Sequence, residues 1–133
     1  MAVISSETLP VLAEADVVTV RRRVRESCAK LGFSLVDQTK MVTAASELAR
    51  NALIHGNGGA MKLMTLNGPR VGLCLSFEDQ GPGIPDVQLA LRDGFTTGSG
   101  LGLGLGGAKR LVHEFEVVSR AGEGTKVTVT RWK

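Results

Sequence analysis

Ten residues, Gly98 to Gly107, hold six glycines, and leucine fills three of the other places. Glycine gives up the most backbone freedom on ordering, so this run is expected to be a loop rather than a regular element. A solvated linker would not carry leucine at every second position. Leu101, Leu103 and Leu105 therefore imply a loop that folds down and packs. The chain has 17 glycines in all but only 4 prolines and no Gly-X-Y period, which excludes a collagen. With 43% apolar and 22% charged residues the remainder has a globular composition, and 133 residues fit a single domain, 1–133. Aromatic residues are only 4%, so the core must come from Val, Leu, Ala and Met.

The formal charge is +3, and much of the excess lies in Arg21, Arg22, Arg23 and Arg25. No aromatic residues interleave with these charges as base stacking requires, so a solvated helix face is expected and a nucleic-acid partner is not. Cys28 and Cys74 both fall in element patterns, which favours buried, reduced thiols over a disulfide framework. The opening MAVISSETLP has neither a basic n-region nor an apolar h-region, so no leader is expected. The uncharged stretch Thr96 to Ala108 is too short and glycine-rich to cross a bilayer. These features point to a cytoplasmic protein with no membrane partner.

Along the chain, residues 7–13 suit a short edge strand, the one place in a sheet where Pro10 is tolerated. Asp16 can cap a helix whose apolar positions Val17, Val20, Val24, Cys28 and Leu31 keep 3–4 spacing until Gly32 stops it. A second helix runs from about Asp37 to His55, with Met41, Ala45, Leu48 and Ala52 as its buried stripe. Residues 60–66 form a strand. Val71, Leu73, Leu75 and Phe77 then alternate with Gly72, Cys74, Ser76 and Glu78, the period of a third strand. A short helix is expected over 86–92 and another from about Gly107 to Glu114. Residues 115–120 and 125–131 close the chain as a hairpin. Helices and strands do not alternate regularly, so the pattern favours an α/β two-layer sandwich. Its mixed, mostly antiparallel sheet would carry helices on one face.

Four segments can carry chemistry. In SELARNALIHG, Thr43, Glu47 and Asn51 are spaced i, i+4, i+8 and share one helix face. A carboxylate and a carboxamide one turn apart suit a general base and an oxygen ligand for a hard cation. In EDQGPGI, Asp79 ends a strand where its carboxylate can accept from an exocyclic amine, and Gly81 and Gly83 let backbone pass close to a planar ring. The run GSGLGLGLGG offers unshielded N–H groups to phosphate oxygens ahead of a helix N-terminus. A literal G-x-G-x-x-G occurs at Gly102, Gly104 and Gly107, but no strand precedes it, which excludes a dinucleotide-binding unit. In Gly122-Glu123-Gly124-Thr125, Thr125 can hydrogen-bond toward Asp79 if their strands are neighbours.

In this order the four segments resemble the GHKL superfamily of ATPases and kinases, with its Bergerat nucleotide-binding fold. VDQTKMVTAASELARN, EDQGPGIPD, DGFTTGSGLGLGLGGAKRLVHEF and GTKVTVTRWK are similar to the RsbT-like switch-protein serine kinases. Ala52 to Gly56 looks more like the RsbW and SpoIIAB anti-sigma kinases. The resemblance implies Glu47 as catalytic base and Asn51 as the Mg²⁺ ligand. It implies an ATP site of Asn51, Asp79, Gly81, Gly83, Gly98, Gly100, Leu101, Gly102, Leu103, Gly104 and Thr125. It further implies ATP-dependent phosphorylation of a serine or threonine on a STAS-domain scaffold or antagonist protein, followed by activation of a PP2C-type phosphatase. For an anti-sigma kinase it implies a sigma factor as partner instead. His55 is expected to be a helix-end polar residue.

Overall fold

The computed structural model describes residues 2–84, 87 and 103–133, so the helix expected over 86–92 lies, apart from Val87, outside the described residues. The described elements are β1 (Ala2–Val11), α1 (Glu14–Leu31), α2 (Leu35–Ile54), β2 (Gly59–Asn67), β3 (Gly72–Asp79), α3 (Leu103–Arg110), β4 (Glu114–Ser119) and β5 (Thr125–Trp132). The strands make one sheet in the order β1-β2-β3-β5-β4, and all four neighbouring pairs are antiparallel. The helices pack on one face of this sheet, giving the expected two-layer sandwich. Among the described residues the sheet is wholly antiparallel rather than mixed.

Local chemistry explains most boundaries. β1 pairs only with β2, so Pro10 sits on an edge strand as expected, although the strand covers 2–11 rather than 7–13. Helix α1 starts before Asp16. The Asp16 carboxylate lies in the first turn and reaches back to accept from the N–H groups of Leu12 (2.8 Å) and Ala13 (3.1 Å). Two donors that the helix cannot satisfy are thereby paired. Gly32 ends α1 at φ +84°, a left-handed residue that glycine adopts without strain. Ser34 caps α2 by accepting from the Asp37 N–H at 3.1 Å.

The core lies between sheet and helices. Met41, Ala45, Leu48 and Ala52 of α2 are buried as the periodicity requires, together with Val17, Val20, Val24 and Cys28 of α1. They meet Met61, Leu63, Leu73, Leu75, Phe77, Val127 and Val129 from the sheet. Truncating Leu48 or Met41 to alanine would remove about 2–5 kcal/mol. β3 is central, and its open-face residues Cys74 and Ser76 are buried too, in cross-strand rows with Met64 and Thr130 and with Lys62 and Thr128. Both cysteines are free, and burial pushes the Cys28 thiol up to about 12, leaving it un-ionised at neutral pH.

Arg21, Arg22 and Arg25 are exposed on α1, the solvated face expected. Arg23 differs. It bonds Glu7 of β1 (2.9 Å) and Glu26 (2.8 Å), tying the helix to the edge strand. No helix among the described residues is long and apolar enough to cross a membrane.

Candidate functional site

The C-terminal half of α2 lies beside the ends of β3 and β5, and between them opens a cavity of about 260 Å³. Leu48, Ala52, Phe77, Ile84, Leu105 and Val127 give it apolar walls, and the polar groups on it are Asn51, His55, Asp79 and Thr125. An apolar cleft with a few placed polar groups is the usual form of a small-molecule site.

Asp79 is the last residue of β3, and backbone encloses it from three directions. A Cβ on Gly56 would strike the Asp79 carboxyl, one on Gly81 would come within 2.5 Å of the Gly56 backbone, and one on Gly124 would strike the Asp79 carbonyl. Burial pushes the Asp79 carboxyl above the ordinary carboxylate range, and the backbone N–H groups of Gly81 and Thr125 offset only part of that. The Gly81 amide donates to Oδ1 at 2.9 Å. A carboxyl facing an apolar cavity is an acceptor that a ligand N–H donor would complete. Gly83, at φ +78°, sits against the Arg120 carbonyl and turns the chain under the pocket.

The sequence expectation paired Thr125 with Asp79, and they are direct cross-strand partners. The hydroxyl contact is different. Thr125 Oγ1 lies 2.7 Å from Ser119 Oγ, because Ser119 is its partner across the β4–β5 pair.

Asn51 lines the cavity one helical turn beyond Glu47, and its Nδ2 is buried without a hydrogen-bond partner among the described residues. An unpaired buried amide costs about 1–3 kcal/mol, so a polar ligand atom here would recover it. No cluster of three or more His, Cys, Asp or Glu side chains fit to hold a metal occurs among the described residues. A hard cation here would be held mainly by a ligand's phosphates, with the Asn51 carboxamide oxygen as the oxygen donor from the cavity wall. Glu47 is half-buried on the same helix but is not part of the cavity lining, and Thr43, a turn earlier still, is exposed. His55 caps the end of α2, its N–H donating to the Asn51 carbonyl at 2.9 Å, and burial lowers its pKa, so it is neutral at pH 7.

Of the glycine run, Gly98, Gly100, Leu101 and Gly102 lie outside the described residues. Leu103 and Gly104 are not loop residues but open helix α3, which ends at Arg110 instead of running from Gly107 to Glu114. Tertiary packing overrides glycine's low propensity here. Leu105 and Ala108 are buried against the core, so the leucine packs from a helix rather than from a loop. At the other end, Glu114 enters β4 opposite Thr130, and its carboxylate accepts the Trp132 indole N–H at 2.6 Å.

Sequence reasoning missed Gly56, Ser119 and the apolar walls. In the sequence Gly56 reads as one of the glycines that follow the second helix, and Leu48, Ala52, Phe77 and Val127 look like any core positions. Only contact with Asp79 distinguishes Gly56, and that contact needs the fold.

A family model described as histidine kinase-, DNA gyrase B- and HSP90-like ATPase matches residues 36–133, which carry every element of the cavity. The chain belongs to this family. Serine/threonine-protein kinase RsbT of Bacillus subtilis is 43% identical over 123 residues, 92% of each chain. An anti-sigma F factor of Thermoanaerobacter sp. (strain X514) is 30% identical over 117 residues, 84% of this chain and 82% of that protein. Among solved structures, one of the RsbU and RsbW domains of a Mycobacterium tuberculosis protein aligns with a TM-score of 0.64 at 25% identity, over 96% of this chain. This chain spans only 32% of that one. By family, the protein is an ATP-dependent serine/threonine-protein kinase.

Proposed function

We propose that this kinase works in a bacterial partner-switching pathway in the cytoplasm. In this reading it transfers the γ-phosphoryl group of ATP to a serine or threonine of a STAS-domain scaffold or antagonist protein. It then binds and activates a PP2C-type phosphatase. The observation that carries the nucleotide half is the Asp79 pocket, a carboxyl held by glycine backbone at the end of an apolar, ring-sized cleft. The identity to RsbT supports the kinase half.

Each residue has one task. Asp79 accepts from the exocyclic amine of adenine, and Gly81 and Gly83 shape the floor beneath the ring. Thr125 completes that end of the pocket. Asn51 offers its carboxamide toward the phosphates and, through oxygen, to Mg²⁺. When bound, Mg²⁺ would neutralise phosphate charge. Glu47 takes the proton of the acceptor hydroxyl as its oxygen bonds to the γ-phosphorus and the bond to the ADP oxygen breaks. Leu103 and Gly104 open α3, where helix N–H groups favour negative charge, and Gly98, Gly100, Leu101 and Gly102 precede it in the chain as further residues for the phosphates.

The test is transfer of label from γ-labelled ATP to a STAS-domain protein, with the acceptor hydroxyl located by mass spectrometry. Label on a STAS serine or threonine supports the reading, and ATP binding with no transfer to any STAS protein refutes it. The anti-sigma F relative favours a second reading, an RsbW-like kinase that sequesters a sigma factor. Affinity capture separates the two. Recovery of STAS and phosphatase proteins supports the first, and recovery of a sigma factor supports the second.

A further inference from the structure

Ser119 ends β4 in the same cross-strand row as Thr125 and Asp79. Its hydroxyl has three neighbours. The Ile84 N–H donates to Ser119 Oγ at 2.7 Å, Thr125 Oγ1 lies at 2.7 Å, and the Gly124 carbonyl at 3.2 Å. A serine hydroxyl has one proton and two lone pairs, and Ile84 uses one of the lone pairs. If Ser119 gave its proton to Thr125, it would face the Gly124 carbonyl lone pair to lone pair. That carbonyl would then keep only a 3.4 Å contact from the Arg120 N–H. If Ser119 donates to Gly124 instead, Thr125 donates to the second lone pair of Ser119 and all three contacts are hydrogen bonds. Buried polar groups take the arrangement that satisfies most of them.

We infer that Ser119 fixes the direction of the Thr125 hydroxyl, so that Thr125 and Asp79 both present acceptors to the cavity and select a 6-amino purine over a 6-oxo purine. With its proton committed to Ser119, Thr125 turns lone pairs toward the cavity that it lines with Asp79. An exocyclic amine brings two N–H donors and satisfies both residues. A 6-oxo purine sets its oxygen against these two acceptors. Ser119 acts through Thr125 and is a positioning residue. The inference rests on the reading of Asp79 as the group that meets the base.

Binding of ADP and of inosine diphosphate, measured by calorimetry without phosphoryl transfer, tests it. The parent protein is expected to prefer ADP by at least about 100-fold. Ser119→Ala frees the Thr125 proton to meet an oxygen, and the preference should narrow about tenfold. Ser119→Thr keeps the hydroxyl and should hold the parent ratio. Thr125→Val, which removes the acceptor itself, should narrow the ratio as Ser119→Ala does, with no further narrowing in the double variant. Equal weakening of both nucleotides in Ser119→Ala, or loss of the ratio in Ser119→Thr, overturns the inference and leaves the adenine site standing. A parent protein that binds the two diphosphates alike refutes the base-reading role of Asp79, and the inference falls with it.

Discussion

At one end of the cavity Asp79 is held by backbone. Strand register sets it opposite Thr125, and Gly56, Gly81 and Gly124 press main chain against it with no room for a Cβ. At the other end Asn51 lines the cavity from α2, with Glu47 one turn before it and off the lining, and their placement depends on side-chain rotamers and on whatever completes the unpaired Asn51 amide. The first end is built before any ligand arrives. The second leaves an amide for a ligand to complete. On the proposed reading, base recognition would tolerate almost no change in main chain, whereas phosphate handling would rest on a few side chains that can be removed while the fold stays intact.

The largest expected effect follows at the helix end. Glu47→Ala should lower phosphoryl transfer by about 100- to 10,000-fold, the usual worth of a positioned proton acceptor, while ADP binding stays near the parent value. Glu47 does not line the cavity, which is why binding should survive. Full transfer by this variant in the labelled assay would remove Glu47 from the mechanism and end the contrast between the two ends.

Asp79→Asn should show the opposite split. Because burial raises the Asp79 pKa, the folded protein holds this proton to higher pH than the unfolded chain, whose carboxyl titrates near 3.8. The stability this provides is complete below that value and is lost as pH rises through the folded pKa. At neutral pH the ionised carboxyl therefore opposes folding, and Asp79→Asn should melt no lower than the parent. Its Kd for ADP should rise about 10- to 100-fold through the lost charge-assisted bond. A lower Tm together with unchanged binding would show that Asp79 is structural.

Two glycines sharpen the comparison further. Gly56→Ala drives a methyl into the Asp79 carboxyl, whereas Gly122→Ala, at φ +80°, meets nothing within 4 Å. The second should cost about 1 kcal/mol from the left-handed backbone alone. The first should cost about 1–3 kcal/mol and abolish measurable ADP binding as well. Thermal melts paired with calorimetry check both, and equal binding in the two variants would mean that the Asp79 pocket is looser than its glycine packing implies.

How much of this was legible in the sequence follows the same division. The alternation of Leu73, Leu75 and Phe77, the α2 stripe and the terminal hairpin are local patterns, and each landed within a few residues of its element. The neighbourhood of Asp79 and Thr125 was within reach because both sit at strand ends in recognisable turns. The Ser119 hydroxyl was not, since it matters only once β4 and β5 pair in a register that puts it in the Asp79 row, 40 positions along the chain. Leu103 and Gly104 were expected in a loop because glycine's propensity is a local argument, while burial of Leu105 and Ala108 is a tertiary one.

The smallest effect belongs to a control that touches neither end. Arg131 lies under the C-terminal end of α3, donating to the Leu111 carbonyl at 2.9 Å and to Asp37 at 2.6 Å, and so ties α3 to the start of α2. Asp37 stands 14 residues before Asn51, about 21 Å along the helix. The Arg131 guanidinium holds the Asp37 carboxyl below the ordinary range. The stability this pair adds is present above pH 3.8 and is lost as pH falls through the lower folded pKa. Asp37→Asn should therefore cost only about 0.2–1 kcal/mol at pH 7, a Tm drop of a few degrees at most, and the gap to the parent should close in acid. ADP binding and the phosphoryl transfer rate, measured well below Tm, should both stay at the parent level. A loss of either would mean that the α2–α3 tie helps to position the phosphate end, which would then owe more to the scaffold than its side chains alone suggest.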